Sequence, residues 1–308
     1  MSRVLLTGAS GFVGRWTLIA LAEAGHDVHA VSHRPGHKVV FGGTGAEQIK
    51  ITWHEADLLA GAEVLERVEP ELLVHLAWYA EHGKFWRSEE NLRWAGASLE
   101  LLRAFARAGG RRAVFAGSCA EYEWSRERYP EDAPTRPATL YGAAKHGLHT
   151  IAAAFAEQEG FQLAWGRLFF LYGPDEAPGR FVSSLIDHLL RGEPAETTAG
   201  TQVRDFLHAA DAGRAFAALA ESEVCGPVNV ASGEGVVLRD IAERIARSIG
   251  APELLRIGAR PMPEGDPPSL VADVAQLREE VGWRPAIELG AGIEETIDWW
   301  RHFSPPSM

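Results

Sequence analysis

The chain has 308 residues, 46% of them hydrophobic, and a formal net charge of −12. A chain of this length and composition can bury a large core. The negative charge argues against nucleic-acid binding, because a phosphate backbone requires a basic surface. No apolar stretch is long enough to cross a bilayer. An anionic ligand must therefore be held by a few local cations.

The cysteine content and the position of the first predicted strand indicate the cellular compartment of the protein. The two cysteines, Cys119 and Cys225, are too few for a disulfide framework and are expected to be free thiols. The first apolar run begins at Arg3, which leaves no room for a signal peptide. We therefore expect a cytoplasmic protein that binds neither nucleic acid nor membranes, and we further expect a homodimer.

A glycine-rich string connects the first predicted strand, Arg3–Leu6, to a helical pattern over Phe12–Ala24. It reads Thr7-Gly8-Ala9-Ser10-Gly11-Phe12-Val13-Gly14. Gly8 permits a tight turn, Gly11 lets the backbone approach phosphates, and Gly14 allows close packing of helix on strand. The helix N-terminus then presents free N–H groups and a positive dipole to a pyrophosphate. The arrangement predicts a dinucleotide-binding site.

Further strand and helix patterns alternate along the first half of the chain. Strands are predicted at Asp27–Ser32, Ile49–Trp53, Leu72–Ala77, Ala113–Ser118 and Gln162–Phe169, and helices at Leu58–Val68, Ser88–Ala108 and Ala138–Glu159. Such alternation predicts parallel βαβ units, and hence an α/β fold with a doubly wound parallel sheet of the Rossmann type.

Beyond Gly173-Pro174 the pattern is less regular and predicts a smaller substrate lobe interleaved with the sheet. Its predicted elements are a helix at Arg180–Arg191, a strand near Asp205–His208, helices at Asp211–Ala220 and Leu238–Ile249, and a loop over Pro261–Pro268. We expect residues 1–172 to form the dinucleotide-binding domain, to which residues 202–230 return. Residues 173–308 would form the substrate lobe.

Tyr141 and Lys145 are four residues apart in a predicted helix, so their side chains project from one face. A nearby ammonium group stabilises a phenolate and lowers the tyrosine pKa from about 10, which makes the phenol a usable acid or base. A carbonyl or alcohol oxygen between the hydroxyls of Tyr141 and Ser118 would exchange a proton while hydride moves at the adjacent carbon. Lys145 can also hold a cofactor ribose. These residues predict a hydride-transfer site.

Motifs along almost the whole chain resemble those of extended short-chain dehydrogenase/reductases that act on nucleotide sugars as epimerases, dehydratases or reductases. The matching residues are 7–14, Asp57-Leu58, His75-Leu76-Ala77, Asn91, Gly96, residues 99–102, Ser118 with Tyr122, Tyr141 with Lys145, Tyr172-Gly173-Pro174, Arg204-Asp205-Phe206 and Gly282-Trp283-Arg284-Pro285. The resemblance implies catalytic roles for Ser118, Tyr141 and Lys145.

The resemblance also implies how a dinucleotide would lie. Asp57 would hydrogen-bond the adenine, and Ala77 with its neighbours would pass beneath the cofactor. The predicted cofactor-binding residues are Gly8, Ser10, Gly11, Phe12, Val13, Gly14, Ser32, His33, Arg34, Asp57, Leu58, Leu76, Ala77, Trp78 and Lys145.

The end of the second predicted strand bears on cofactor choice. NAD enzymes of this type place an Asp or Glu there to bind the ribose 2′-hydroxyl, whereas this chain has Ser32-His33-Arg34. No carboxylate is present there to repel a 2′-phosphate, and Arg34 can pair with that phosphate. We predict NADP as the cofactor, with NAD as the alternative. The alternative for Arg34 is a solvated loop arginine that does not contact the cofactor.

The substrate side of the site is predicted from the same resemblance. Arg204 would bind the diphosphate of an activated sugar through its bidentate guanidinium. The alternative is a local salt bridge of Arg204 with Asp205 or a neighbour. The predicted substrate-binding residues are Trp78, Ser118, Cys119, Tyr141, Phe170, Arg180 and Arg204.

Departures from the family pattern narrow the expected reaction. Dehydratases of the family need an acid and a base directly after the catalytic Ser or Thr, where this chain has Cys119 and Ala120. Many members place an Asn that contacts the sugar at the position of Phe170, and an apolar ring there favours a deoxygenated sugar. Dehydration is therefore disfavoured.

Three tryptophans, Trp78, Trp86 and Trp124, would line a pocket for a methyl-bearing sugar; the alternative is that they are core or interface residues. The spacing of His29, His33 and His37 would suit a metal on a helix, but a Pro-Gly pair interrupts it and the run follows a strand. We expect no metal site. His146 and His149 are expected to be solvated or at an interface.

Together with the resemblance, these residues predict a reductase that uses NADPH to reduce the C4 ketone of a nucleotide-diphospho-4-keto-6-deoxy sugar, with Tyr141 as the proton donor. The leading alternative is a 4-epimerase that oxidises and re-reduces one carbon with retained NAD. A non-catalytic cofactor-sensing module is the alternative from another class, although such a module would have lost Tyr141 and Lys145.

Overall fold

The structure, a computed structural model, describes residues 1–33 and 51–303. Its strands in chain order are β1 (Arg3–Thr7), β2 (Asp27–Ser32), β3 (Ile51–Glu55), β4 (Leu72–His75), β5 (Arg112–Ser118), β6 (Arg128–Tyr129), β7 (Gln162–Leu168), β8 (Phe170–Tyr172), β9 (Ala195–Glu196), β10 (Val203–His208), β11 (Gly226–Val230), β12 (Gly235–Val237), β13 (Leu255–Arg256) and β14 (Ser269–Ala272). Its helices are α1 (Gly14–Glu23), α2 (Val64–Val68), α3 (Glu90–Arg107), α4 (Leu140–Glu159), α5 (Phe181–Leu190), α6 (Ala209–Glu221), α7 (Leu238–Ile249), α8 (Ala275–Glu279) and α9 (Leu289–Phe303).

Seven parallel strands form the central sheet, in the order β11-β7-β5-β4-β1-β2-β3. The chain runs outward from β1 to β3 and then crosses back to β4 on the other side of β1. The carboxyl ends of β1 and β4 therefore meet where the order reverses, with Thr7 opposite His75. Open α/β sheets bind ligands at such a point. This topology confirms the predicted doubly wound α/β fold.

Helices cover both faces of this sheet, because successive side chains of a buried strand point to opposite faces. From β1, Val4 and Leu6 pack on the face that α1 and α6 cover, together with Leu18. Leu5 packs on the other face, where α2, α3 and α4 supply residues such as Leu101. Among the described helices, none combines the length and apolar content that a bilayer span requires.

A smaller mixed sheet carries the second lobe. Its strand order is β12-β10-β14-β6, and β8 pairs with β10. Helices α5, α7 and α9 enclose its apolar core around Tyr172, Ile186, Ile245 and Ile297. The chain interleaves the two sheets: β6 precedes α4, whereas α6 and β11, which follow β10, pack on the central sheet.

One predicted helix is much shorter than expected. The pattern over Leu58–Val68 is helical only from Val64. The preceding residues form a turn, in which the Asp57 carboxylate accepts the Leu59 N–H at 3.0 Å and the Asp57 carbonyl accepts the Ala60 N–H at 3.0 Å. A short acidic side chain commonly competes with helix formation in this way.

Other element ends shift by a few residues. The strand predicted to reach Ala77 ends at His75, and the chain then turns past Gly8. The strand predicted at Ile49–Trp53 is β3, and residues 49 and 50 lie outside the described part of the chain. The first helix begins at Gly14 rather than Phe12, because residues 11–13 still belong to the turn.

Candidate active site

The glycine string forms a tight turn between β1 and α1. Gly8 has a φ of 70°, in the left-handed region, and a Cβ there would lie 2.7 Å from the Ala77 nitrogen. A Cβ on Gly14 would overlap the Gly8 carbonyl oxygen. The Arg15 N–H donates to the Gly11 carbonyl, and the Trp16 and Thr17 N–H groups donate to the Val13 carbonyl. Within the described chain, no side chain caps the N-terminus of α1, so no side chain competes there with a ligand. The cradle thus fits the pyrophosphate of a dinucleotide.

The rim of this cradle contains residues predicted to contact the adenosine half of a cofactor. The Ser10 and Ser32 hydroxyls lie 3.3 Å apart, which joins the glycine turn to the end of β2. Asp57 is exposed just beyond the end of β3, next to the buried Leu58. His33 is exposed, and Arg34 lies outside the described residues.

The segment Leu76-Ala77-Trp78 continues from β4 beneath the same cradle. The Leu76 N–H donates to the Thr7 carbonyl at 3.2 Å. The Trp78 indole N–H donates to the side-chain oxygen of Asn91 at 2.9 Å, and the Asn91 amide donates in turn to the Phe85 carbonyl at 2.6 Å. Because Asn91 is fully buried, these bonds fix the orientation of the Trp78 ring.

The three predicted catalytic residues come together at the carboxyl end of the sheet. Ser118 ends β5, and Tyr141 and Lys145 lie in the first turns of α4. Gly142 packs so closely on the Ala120 carbonyl that α4 is held against the turn after β5. The Lys145 ammonium donates to the Ala116 carbonyl at 2.8 Å and lies 3.7 Å from the centroid of the Trp78 ring.

Burial dominates the acid–base properties of this site. It raises the pKa of Tyr141 to about 12, while a hydrogen bond with the Ser118 side chain acts in the opposite direction. It lowers the pKa of Lys145 to about 7, while the charge of Glu121 opposes this change. The sequence-based expectation of a lowered Tyr141 pKa is therefore wrong in this arrangement, because desolvation penalises the phenolate.

Aromatic side chains surround the Tyr141 phenol. Phe85 and Trp86 contact it edge-on, with ring centroids at 4.9 and 5.7 Å. Trp124 lies 6.5 Å from Trp86, and its indole N–H donates to the Cys119 carbonyl at 3.2 Å. Trp86 and Trp124 therefore form an apolar wall beside the phenol.

Two further predicted substrate residues border this wall. Cys119 is buried, and burial raises its pKa to about 12, so it remains a neutral thiol. Arg180 precedes α5 with its guanidinium carbon 5.6 Å from the Phe85 ring centroid, and its charge acts on the pKa of Tyr141. Cys119 and Arg180 thus place an uncharged thiol and a cation next to the Tyr141 phenol.

Arg204 holds an ion pair with a loop residue. Its guanidinium donates to the Asp266 carboxylate at 2.7 Å and lies 5.4 Å from the Phe170 ring centroid. Gln202 donates to the same carboxylate at 2.8 Å. Asp205, the partner considered from the sequence, instead accepts hydrogen bonds from Ser232. Arg204 therefore forms a salt bridge with Asp266, 62 residues away in the chain, rather than the local one with Asp205.

A family model described as the NAD dependent epimerase/dehydratase family matches residues 4–231 of the chain. The chain belongs to this family. The matched region contains the glycine turn, Ser118, Tyr141, Lys145 and Arg204. This result confirms the resemblance to nucleotide-sugar epimerases, dehydratases and reductases.

Individual members of the epimerase/dehydratase family match over nearly the full chain. A UDP-glucose 4-epimerase from Streptomyces lividans is 26% identical over 340 aligned residues, covering 99% of this chain and 97% of that protein. The structure of MoeE5 in complex with UDP-glucose and NAD is 29% identical and has a TM-score of 0.85, covering 97% of this chain and 99% of that one. The UDP-glucose 4-epimerase of Thermotoga maritima shares the fold, with a TM-score of 0.84 at 23% identity and coverage of 97% and 99%.

Within this epimerase/dehydratase site, sequence reasoning missed Glu121. Its carboxylate is fully buried and accepts the Ser118 N–H at 2.8 Å, while the Ser118 hydroxyl accepts the Ala120 N–H. The spacing of Ser118 and Glu121 is that of a capping box, and the short helical turn Cys119–Glu121 contains one. The Ser-x-x-Glu pattern was the available signal.

Two histidines lie near this site. His146 and His149 are half-buried, and the His149 ring stacks on Trp165 with centroids 4.9 Å apart. Possible ligand atoms of Glu121, His146 and His149 lie within 4.8 Å of one another. The cluster does not fit a cation, because both Glu121 oxygens already accept hydrogen bonds, one of them from Arg167.

The spaced histidines near the N-terminus form a different arrangement from the one considered. His29 and His54 lie on adjacent strands, and His29 Nδ1 is 2.8 Å from His54 Nε2. His29 also lies 3.6 Å from the Asp27 carboxylate. His33 is exposed, and His37 is outside the described residues.

Proposed function

We propose that this protein reduces the C4 ketone of a nucleotide-diphospho-4-keto-6-deoxy sugar, with NADPH as the hydride donor and Tyr141 as the proton donor. The arrangement of Ser118, Tyr141 and Lys145 beside the glycine turn is the observation that carries the proposal. It supports transfer of hydride and proton at a carbon that bears oxygen. The proposal includes a cytoplasmic location and a homodimeric state.

The protonation state of Tyr141 favours reduction. Burial raises the pKa of Tyr141 to about 12, so the phenol carries its proton at neutral pH. A reductase needs this form, because the phenol donates a proton to the ketone oxygen as hydride arrives. The Ser118 hydroxyl lies beside the phenol and can donate a hydrogen bond to the same oxygen. When bound, the nicotinamide dinucleotide supplies the hydride.

The surroundings of Tyr141 favour a deoxygenated sugar. Trp86 and Trp124 place apolar rings beside the phenol, and the Phe170 ring centroid lies 5.4 Å from the Arg204 guanidinium carbon. Apolar rings favour the C–H faces of a sugar over its hydroxyls. Cys119 and Ala120 cannot supply the acid and base that a dehydratase uses after Ser118. A 6-deoxy sugar that already carries a ketone matches this pocket.

The diphosphate of the substrate would bind to the two arginines at the border of the pocket. Arg180 already lies beside the aromatic wall, and its charge reaches Tyr141. Arg204 would exchange its ion pair with Asp266 for one with a phosphate oxygen. In this proposal the negative net charge of the chain is overcome locally by Arg180 and Arg204.

NAD-retaining 4-epimerization is the second candidate function. It is favoured by the relatives, which include a UDP-glucose 4-epimerase over nearly the full chain and MoeE5 with bound UDP-glucose and NAD. The same Ser118, Tyr141 and Lys145 would serve it, with Tyr141 alternately accepting and donating the proton. An epimerase, unlike a reductase, keeps its dinucleotide through each cycle.

Measurement of the dinucleotide separates the two candidates. The purified protein is denatured and the released nucleotides are quantified, and in parallel the native protein is mixed with NADPH and nucleotide-linked 4-keto-6-deoxy sugars. We expect little retained dinucleotide and consumption of one NADPH per sugar reduced. Retained NAD, together with interconversion of two fully hydroxylated nucleotide sugars without added cofactor, would establish the epimerase instead.

A further inference from the structure

Behind Ser118 lies a buried carboxylate, that of Glu121, that none of the proposed catalytic roles uses. Its two oxygens accept three hydrogen bonds: Oε1 from the Ser118 N–H at 2.8 Å and the Trp165 indole N–H at 2.9 Å, and Oε2 from the Arg167 guanidinium at 3.1 Å. Glu121 is fully buried and Arg167 is 2% exposed. Such complete satisfaction in the interior indicates a specifically built position.

The neighbouring sequence makes room for this carboxylate. A Cβ on Gly117 would lie 2.6 Å from Glu121 Oε1 and would overlap the Trp165 indole nitrogen. The absence of a side chain at Gly117 is therefore what allows Glu121 and Trp165 to meet. The rest of the Arg167 guanidinium is also held, since it donates to the Glu131 carbonyl at 2.9 Å.

The same carboxylate faces the catalytic helix. The turn Cys119–Glu121 packs on α4, with the Ala120 carbonyl against Gly142. The negative charge of Glu121 opposes the lowering of the Lys145 pKa and raises the pKa of Tyr141. Glu121 thus acts on both titrating groups of the proposed reaction without contacting a substrate.

We propose that Glu121 is a positioning residue of the active site: its carboxylate fixes the backbone at Ser118, and its negative charge, in the turn that packs on α4, stabilises the ammonium form of Lys145. The catalytic significance of this role rests on the function proposed above. The first test does not, because it follows Lys145 in the absence of any substrate.

The other charged and titratable groups around Tyr141 and Lys145 determine whether neutralising Glu121 raises or lowers the pKa of Lys145. His75, on β4, faces Lys145, but its pKa is lowered to about 3, so it stays neutral. Arg180 and Cys119 act on Tyr141, and Cys119 is a neutral thiol. Among residues 1–33 and 51–303, Glu121 is therefore the carboxylate that stabilises the ammonium group, and its neutralisation lowers the pKa of Lys145.

The sequence makes Lys145 observable, since the protein has four lysines. We would label the lysine ε-carbons with ¹³C, identify the Lys145 signal from its loss in Lys145→Arg, and titrate it by NMR. In Glu121→Gln the titration midpoint should move to lower pH by roughly one unit or more, as expected for loss of an opposite charge nearby.

The matched control is Glu131→Gln, which makes the same chemical change on the other side of Arg167. The Glu131 carboxylate accepts the Asn229 N–H at 2.9 Å and is not among the groups that act on Lys145. Its variant should titrate like the wild type. An unmoved midpoint in Glu121→Gln, or equal movement in both variants, overturns the proposal.

The double variant E121Q/R167Q replaces E121Q in this test if E121Q does not fold. The double variant removes both members of the Glu121–Arg167 ion pair, so it leaves no unpaired charge in the interior. It should show the same downward movement of the Lys145 midpoint, and an unmoved midpoint contradicts the proposal here too. In the reductase assay, the alkaline limb of kcat should also move to lower pH. If the wild type lacks reductase activity, the proposed function fails while the NMR result still decides the role of Glu121.

Discussion

The ammonium nitrogen of Lys145 lies 3.7 Å from the centroid of the Trp78 ring. Lys145 is 4% exposed, so the ring replaces part of the hydration that the cation loses. A cation on a tryptophan face is stabilised by about 2 kcal/mol when desolvated. Trp78 is itself fixed through its hydrogen bond to the buried Asn91, so α3 indirectly sets the environment of Lys145.

Replacement of Trp78 should therefore change the titration of Lys145. In Trp78→Leu the already lowered pKa of Lys145 should fall further, by about one pH unit, because the desolvated cation loses the ring. Trp78→Phe keeps a ring face and should show a smaller change. The measurement is the same ¹³C-lysine NMR titration, and equal midpoints in Trp78→Leu and the wild type would refute the role of the ring.

Removal of the Tyr141 hydroxyl should separate chemistry from binding. Tyr141→Phe is expected to lower turnover by about two to four orders of magnitude, because the proton donor is lost. Dinucleotide affinity, measured by fluorescence titration, should stay near the wild-type value, since the pyrophosphate cradle at Gly8 and Gly14 is unchanged. Near-wild-type turnover in this variant would contradict the assignment of Tyr141 as the proton donor.

Cofactor preference should depend on Arg34. The sequence predicts that its guanidinium pairs with the 2′-phosphate of NADPH, so Arg34→Ala should lower kcat/KM for NADPH by roughly tenfold or more, with little effect on NADH. The assay compares the two cofactors at fixed substrate concentration. Equal use of NADH and NADPH by the wild type would count against an NADP enzyme.

The ion pair between Arg204 and Asp266 allows a test of whether Arg204 binds the substrate diphosphate. If the substrate takes the place of Asp266, Asp266→Asn should lower the KM for the nucleotide sugar several-fold, because the competing charge is removed. Arg204→Gln should raise that KM. A purely structural pair would instead leave the KM unchanged in Asp266→Asn while the melting temperature fell, since the buried Arg204 guanidinium would lose its charged partner.

The buried carboxyl of Glu176 predicts a pH dependence of stability. Burial raises the pKa of Glu176 from 4.5 to about 8, so between these values the folded protein binds more protons than the unfolded chain. Its contribution to stability is then fully present below pH 4.5 and is lost as the pH rises through about 8.

Urea unfolding as a function of pH tests this behaviour. Glu176→Gln should reduce the loss of stability between about pH 5 and 8 relative to the wild type. The exposed Glu193→Gln, which makes the same change on the surface, should not. Parallel pH profiles for the wild type and Glu176→Gln would contradict the prediction.

The sequence by itself determined the architecture and the residues that are brought together at the candidate site. The alternation of strand and helix patterns gave the doubly wound sheet, because parallel strands need crossover helices and bury both faces. The glycine turn could be predicted because Gly8, Gly11 and Gly14 act within one short segment. The proximity of Tyr141 and Lys145 could be predicted because a helix places residues four apart on one face.

Only the tertiary structure decided the partners of these groups. Asp266 meets Arg204 from a loop 62 residues away in the chain, and Arg167 meets Glu121 from a neighbouring strand. Such contacts depend on how separate elements pack, which no local pattern encodes. The pKa of Tyr141 is raised rather than lowered for the same reason. Two separate segments, Phe85-Trp86 and the turn after Ser118, surround the phenol, and desolvation outweighs the opposing effects of the Ser118 hydrogen bond and the Arg180 charge.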